Sequence, residues 1–269
     1  MPNSKGKSPK IIAVVNQKGG VGKTTTAINL ATALAATNHK TLLLDLDPQG
    51  NASTGFGVGQ QARADSIYDV IMGQATLDDV VIETDVPQLY LAPANVDLAG
   101  AELELVDADR RSHRLQDALL AYCGDDQAYD YVLIDCPPSL NLLTINALTA
   151  SDSVLVPLQC EFFALEGLSL LLRTVERVQN SLNPSLSMEG VVLTMYDGRN
   201  NLAQQVQDDV RDYLGNDVFK TVIPRNIRLS EAPGYGMPAL MFDHRCTGSQ
   251  AYISLAAELI RKNKRLQAA

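Results

Sequence analysis

The chain is expected to be an α/β protein: a doubly wound, mostly parallel sheet with helices on both faces. Apolar runs of strand length alternate with segments of helical period from one end to the other. Those runs are nearly continuous in Val, Ile and Leu, the pattern of strands buried on both faces. No Pro/Gly/Ser-rich linker interrupts the 269 residues, so one domain over 10–269 is expected behind a flexible tail at 1–9.

Strands are placed at 10–16 (KIIAVVN), 41–47 (TLLLDLD), 89–94 (LYLAPA), 129–135 (YDYVLID), 153–159 (SVLVPLQ) and 190–196 (GVVLTMY). Helical periods occupy 23–37, 65–73, 112–123, 139–150, 165–180, 200–214 and 249–265. The stretch 78–130 is rich in Asp and Glu and reads as a solvated acidic face.

Composition removes several function classes. Four scattered cysteines (Cys123, Cys136, Cys160, Cys246) form no CxxC pair, which fits a reducing cytosol and not a disulfide or zinc framework. No apolar run reaches the roughly 18 residues of a membrane span. The start, MPNSKGKSPK, lacks the apolar core of a signal peptide. A net charge of −9 argues against coating nucleic acid with the whole surface, but leaves room for a local basic patch.

Residues 16–26 read NQKGGVGKTTT. The usual phosphate-cradling pattern is G-x-x-x-x-G-K-[ST], and here Gln17 replaces its first glycine. The physical requirements survive. Gly19, Gly20 and Gly22 let the backbone turn its N–H groups inward, ahead of a helix N-terminus that favours anions. Lys23 is placed to reach the β- and γ-phosphates of ATP, and the Thr24 hydroxyl to ligate Mg²⁺. The nucleotide contacts are therefore expected along Lys18, Gly19, Gly20, Val21, Gly22, Lys23, Thr24 and Thr25. Lys18 is a surplus cation in a loop that needs only one.

Two strands end in carboxylates. LLLDLDPQGNAS delivers Asp45 and Asp47 before Pro48, and YDYVLIDCPPSL delivers Asp135 into a double-proline turn. Ligands of parallel α/β sheets sit beyond the carboxyl ends of strands, so all three carboxylates are expected near the phosphates. Asp135 suits a Mg²⁺ or its waters, with Asp47 a second contributor through water. Asp47, one step further out, is the candidate to orient the attacking water. For Asp45, capping of loop N–H groups is at least as good a reading as catalysis.

KGGVGKTT, DLDPQGN and DYVLIDCPPSL together resemble the deviant Walker A ATPases, specifically the ParA/Soj partitioning proteins. The runs PLQCEFFALEGLSLLL (157–172), TMYDGRNNL (194–202) and VIPRNIRLSEAPGYGMP (222–238) extend the resemblance over 10–265. It implies a bacterial, cytoplasmic, nucleoid-associated ATPase of the short chromosomal type. In that family the extra lysine crosses a dimer interface to the partner's nucleotide; Lys18 stands at that position. The resemblance also assigns Asp47 to the catalytic water, Asp135 to the metal, and Pro224, Arg225 and Asn226 to the adenine. It implies an ATP-dependent homodimer and a ParB-type activating partner, with nonspecific double-stranded DNA held by Arg199 and Arg228. The C-terminal cations Arg261, Lys262, Lys264 and Arg265 are added to that patch on charge alone.

Three rival readings fit the sequence less well. A MinD-like membrane ATPase would end in an amphipathic helix with bulky apolar residues; here SLAAELIRKNKRLQAA has no terminal aromatic and reads as a helix packed on the domain. An iron–sulfur ATPase would need bridging cysteine pairs, whereas Cys136 and Cys160 read as small core residues. A small-molecule kinase would need a lid that the sequence does not display.

Overall fold

The computed structural model describes residues 8–123 and 129–268, with side chains through Arg265. Its strands are β1 (Lys10–Val14), β2 (Thr41–Asp45), β3 (Ile82–Glu83), β4 (Leu89–Ala92), β5 (Tyr131–Asp135), β6 (Ser153–Gln159), β7 (Ser187–Tyr196) and β8 (Val218–Pro224). They form one eight-stranded sheet in the order β3-β4-β2-β5-β1-β6-β7-β8. Every pairing is parallel except β3 with β4.

Alternation along each strand divides the core. Ala13 and Val15, Leu42 and Leu44, and Ile134 pack on one face. Ile12 and Val14, Leu43, and Leu133 pack on the other, against helices Lys23–Ala36 and Thr247–Ala268. The first of these helices is buried almost all round, which is why its apolar residues show no single stripe. The C-terminal helix buries Leu255, Ala256 and Leu259, as its sequence suggests; the side chain of Leu266 lies outside the described set. Among the described residues no helix is long and apolar enough to cross a membrane.

Strand order reverses around β1, which lies between β5 and β6. The segments leaving β1, β2 and β5 therefore meet at one edge, and the register sets Val14 and Asp45 opposite Asp135.

The six expected strands form, with ends shifted by a few residues. β8 was not expected: VFKTVIP is an edge strand with exposed Lys220 and a terminal proline, a composition edges tolerate and central strands do not. The two-residue β3 and short helices such as Asn51–Gly55 and Ile227–Glu231 fall below the length at which a period shows. Within the stretch read as a solvated acidic face, β4 and Leu98, Leu105, Leu115 and Leu119 are buried; the acids decorate a packed layer. Of the tail expected at 1–9, residues 1–7 lie outside the described residues, and Pro9 is buried beside β1.

Leu43→Ala, at a fully buried β2 position facing helix Lys23–Ala36, should cost about 2–5 kcal/mol of unfolding free energy, read from urea denaturation midpoints.

Candidate functional site

The loop after β1 is fastened from three sides. Asn16 donates to the Pro157 carbonyl of β6 (2.8 Å) and accepts from the Lys18 N–H (3.0 Å). Thr194 of β7 donates to the Val21 carbonyl (2.7 Å). Gly20 and Gly22 take φ of +75° and +85°, and Gly22 starts the helix with no side-chain cap. The first N–H groups of that helix thus remain available to an anion. No protein atom lies within 4 Å of where a Cβ on Gly19 or Gly20 would sit. The space before those glycines is the cradle itself, a cavity of about 330 Å³ that Lys23, Thr24, Asp47 and Asn51 also line.

Lys23 is buried, and its ammonium donates to the Lys18 carbonyl (3.1 Å). Burial pulls its pKa down, against the pull of Asp135 and Asp47. Asp45 is fully buried, and its carboxylate accepts from the Ser53 N–H (2.8 Å), the Ser53 hydroxyl (2.7 Å) and the Asp47 N–H (3.3 Å). Desolvation still raises it to about 6. It is a capping group, the first of the two readings open for it above. Asp135 differs: burial, then the charge of Asp45, drives it well above the usual range, while Thr24 and Lys23 pull the other way. Among the described residues neither of its oxygens has a partner at full hydrogen-bonding geometry, the Thr24 hydroxyl being the nearby donor. Two orphan carboxylate oxygens beside a threonine hydroxyl and a phosphate cradle suit a hard cation and its waters. The donor set therefore fits Mg²⁺, with Thr24 and Asp135 as the groups to hold it.

A second cavity of about 110 Å³ shares Gly22, Thr25 and Met195 with the first and is closed by Pro224, Arg225 and Asn226. Its place beside the cradle suits a nucleobase. The Asn226 side chain is already engaged, accepting from the Arg228 N–H (2.8 Å) and donating to Thr247 (2.9 Å). Those bonds fix its place in the wall, and each amide atom keeps one further hydrogen-bonding position.

A family model described as an AAA domain matches residues 9–188. The chromosome partitioning protein ParA of Caulobacter vibrioides is 58% identical over 96% of this chain and 97% of its own. The sporulation initiation inhibitor protein Soj of Bacillus subtilis is 53% identical over 93% and 98%. The chain belongs to the ParA/Soj family. Its fold is also that of a Mycobacterium smegmatis protein solved as cobyrinic acid a,c-diamide synthase with bound ADP and magnesium. That match has a TM-score of 0.83 at 38% identity, covering 95% of this chain and 96% of the other.

The two lysines of this ParA/Soj loop face different ways. Lys23 points into the cradle, whereas Lys18 is half exposed and ion-paired with Glu161 of the segment after β6. The positively charged candidates are divided as well. Arg199 and Arg228 follow the carboxyl ends of β7 and β8. Arg199 grips Asp197 through two hydrogen bonds (2.9 and 2.8 Å), which hold that carboxyl at about 2. Arg228 pairs with Glu231 (2.9 Å) and Asp243 (3.7 Å). Lys262 instead donates to the Glu189 carbonyl near the start of β7, and Lys264 lines a depression with Lys10 and Ser187 at the amino ends of the strands. The single patch expected from charge is therefore not assembled, because the C-terminal helix carries its cations to the far end of the sheet.

Sequence reading missed Asn16, Ser53, Thr194 and Glu161. Each acts through an ordinary polar side chain whose partner is distant in the chain, and only the acidic strand ends hinted that Asp45 would need a cap.

Because Asp45 binds its proton more tightly folded than unfolded, its contribution to stability is present below about pH 4 and is lost as pH rises through about 6. Asp45→Asn should therefore gain on the nucleotide-free wild type by about 2–3 kcal/mol between pH 4 and 7. Paired urea titrations across that range measure it.

Proposed function

We propose that this chain is an ATP-hydrolysing DNA-segregation switch: ATP and Mg²⁺ drive a sandwich dimer that holds DNA without reading its sequence. Hydrolysis, slow alone and stimulated by a ParB-like partner, then returns the monomer and releases DNA. The observation that carries this reading is the opposed orientation of Lys23 and Lys18 at one phosphate cradle.

Lys23 and the N–H groups of the loop would neutralise the chain's own triphosphate in a site shielded from water. The metal, when bound, would screen charge between phosphate oxygens. Asp47 lines the same cavity; its Oδ1 accepts from the Gln49 N–H, which leaves Oδ2 to hold a water for attack on the γ-phosphorus. The Lys18 ammonium, paired with Glu161, does not line that cavity. Facing a second copy, it would exchange Glu161 for the partner's nucleotide, so that ATP becomes part of the dimer contact.

For DNA, Arg199 and Arg228 are the supported contacts, since both lie at the nucleotide end of the sheet. Lys262, Lys264 and Arg265 would reach DNA only across the opposite end. Each arginine must release a carboxylate to take a phosphate, which keeps a single copy weak and makes doubling by dimerisation decisive. The alternative is a MinD-like membrane switch; ATP-dependent pelleting with liposomes would favour it.

Lys18→Gln should bind ATP yet stay monomeric in light scattering, while Asp47→Ala should bind ATP, dimerise and persist on DNA with hydrolysis down by about 100-fold or more. Rapid hydrolysis by Asp47→Ala would refute its role. In a salt series with ATP, ADP or no nucleotide, only the ATP state should bind DNA tightly. Arg228→Glu should dimerise normally but lose about 10-fold or more in DNA affinity, with a shallower salt slope, and Arg199→Glu should act in the same direction.

A further inference from the structure

Beyond the residues that line the cradle, one buried cation is directed at the loop that carries Asp47. Arg63 ends the turn Gln60–Arg63 and is 7% exposed. Among the described residues it has no carboxylate at ion-pairing distance. All its side-chain hydrogen bonds go instead to one short segment. Nε and Nη2 donate to the Val58 carbonyl (3.0 and 2.6 Å), Nη1 to the Gly50 carbonyl (3.1 Å), and Nη2 also to the Thr54 hydroxyl (2.8 Å). Burying an unpaired guanidinium is costly, so its fork of donors is committed to fixing that backbone.

The segment it grips is the continuation of the Asp47 turn. The Gly50 N–H donates to the Asp47 carbonyl (2.8 Å), and the Gln49 N–H donates to Asp47 Oδ1 (3.0 Å). Asp47 Oδ2 takes no hydrogen bond among the described residues, so the aim of the carboxylate rests on the turn beneath it. Gly50 has φ +61°, and a Cβ there would come within 2.3 Å of Arg63 Nη1 and 3.1 Å of the Ala94 carbonyl. The close approach of guanidinium and turn thus requires glycine. From the other side, Asp45 holds Ser53, and the Ser53 hydroxyl accepts from the Ala94 N–H (3.1 Å). The turn is clamped between a buried carboxylate and a buried guanidinium.

We propose that Arg63 is a positioning residue for ATP hydrolysis: its guanidinium fixes the Gly50 turn and so the direction in which Asp47 holds the attacking water. The proposal rests on the ATPase reading above and on Asp47 acting as water-orienting group. Arg63 is not among the residues that line the phosphate cradle, so nucleotide affinity should depend on it little.

Single-turnover hydrolysis, nucleotide affinity and melting temperature are to be measured on Arg63→Lys, Arg63→Gln and Thr54→Val. Misplacement of Asp47 by a fraction of an ångström predicts hydrolysis lower by roughly 10- to 100-fold in both Arg63 variants, with ATP affinity within about 2-fold of wild type. Lysine keeps the charge but not the fork, so it should not restore the rate. Thr54→Val removes one acceptor of the clamp and the Thr54 hydroxyl's own bond to the Gly50 carbonyl (3.0 Å) with little change in volume, and should slow hydrolysis several-fold while the protein stays folded, with a melting temperature lower by only about a few degrees. If the Arg63 variants do not fold, Thr54→Val decides. The proposal falls if well-folded variants hydrolyse ATP at the wild-type rate, or if rate and affinity fall together. Wild-type protein that hydrolyses no ATP, or an Asp47→Ala variant as fast as wild type, would remove the underlying reading and this proposal with it.

Discussion

One buried ammonium set among buried carboxylates governs the rest of this molecule. Lys23 sits with Asp135 and Asp47 at the carboxyl edge of a parallel sheet, and Asp45 lies next to Asp135 in register. Lys23, Asp45 and Asp135 have been taken out of water, and each of these three has shifted toward its neutral form as a result. Such an arrangement is poor for stability, since unpaired buried charge costs more than the same positions filled by apolar side chains. It persists because the sheet leaves little choice: the loops after β1, β2 and β5 converge where strand order reverses, and whatever those strands carry at their ends is brought together.

The same convergence explains how distant parts of the chain are tied to the cradle. Asn29, one turn into the loop helix, donates to the Thr25 carbonyl (2.8 Å) and accepts from the Ala239 N–H (2.9 Å). Thr26 shares a buried hydrogen bond with Tyr252 of the C-terminal helix (3.1 Å). Gly57, beyond the Asp47 turn, meets Gly236 backbone to backbone, so close that a Cβ on Gly236 would lie 2.8 Å from the Gly57 Cα. The stretch from Gly236 to Tyr252, which follows Arg228, is therefore packed on both the helix after the phosphate loop and the segment after Asp47.

Much of this was legible before any coordinates. Continuous Val/Ile/Leu runs can satisfy burial only as interior parallel strands, which fixed the six central elements and, through them, the place of Lys23, Asp47 and Asp135. The glycines around Lys23 were readable for the same reason: a backbone that must approach an anion has few alternatives. What could not be read depends on polar groups meeting across the fold. Arg63 sits in an ordinary polar turn, Glu161 precedes two exposed phenylalanines, and nothing local announces that one grips the segment after Asp47 and the other pairs with Lys18. The C-terminal cations were misgrouped because net positive charge along a helix carries no information about which end of the sheet the helix reaches.

On the proposed reading, that last separation bears on how a protein of net charge −9 would grip a polyanion only on demand. Arg199 and Arg228 are each already satisfied by neighbouring carboxylates, so a phosphate gains little by displacing them singly. On the proposed reading, two copies held by nucleotide would present the exchange twice on one rigid face, and the gain compounds because the second contact is intramolecular. Weak, pre-neutralised cations are then better suited to a switch than free ones. Free arginines would hold DNA in every nucleotide state, whereas paired ones require the geometry that only the dimer supplies.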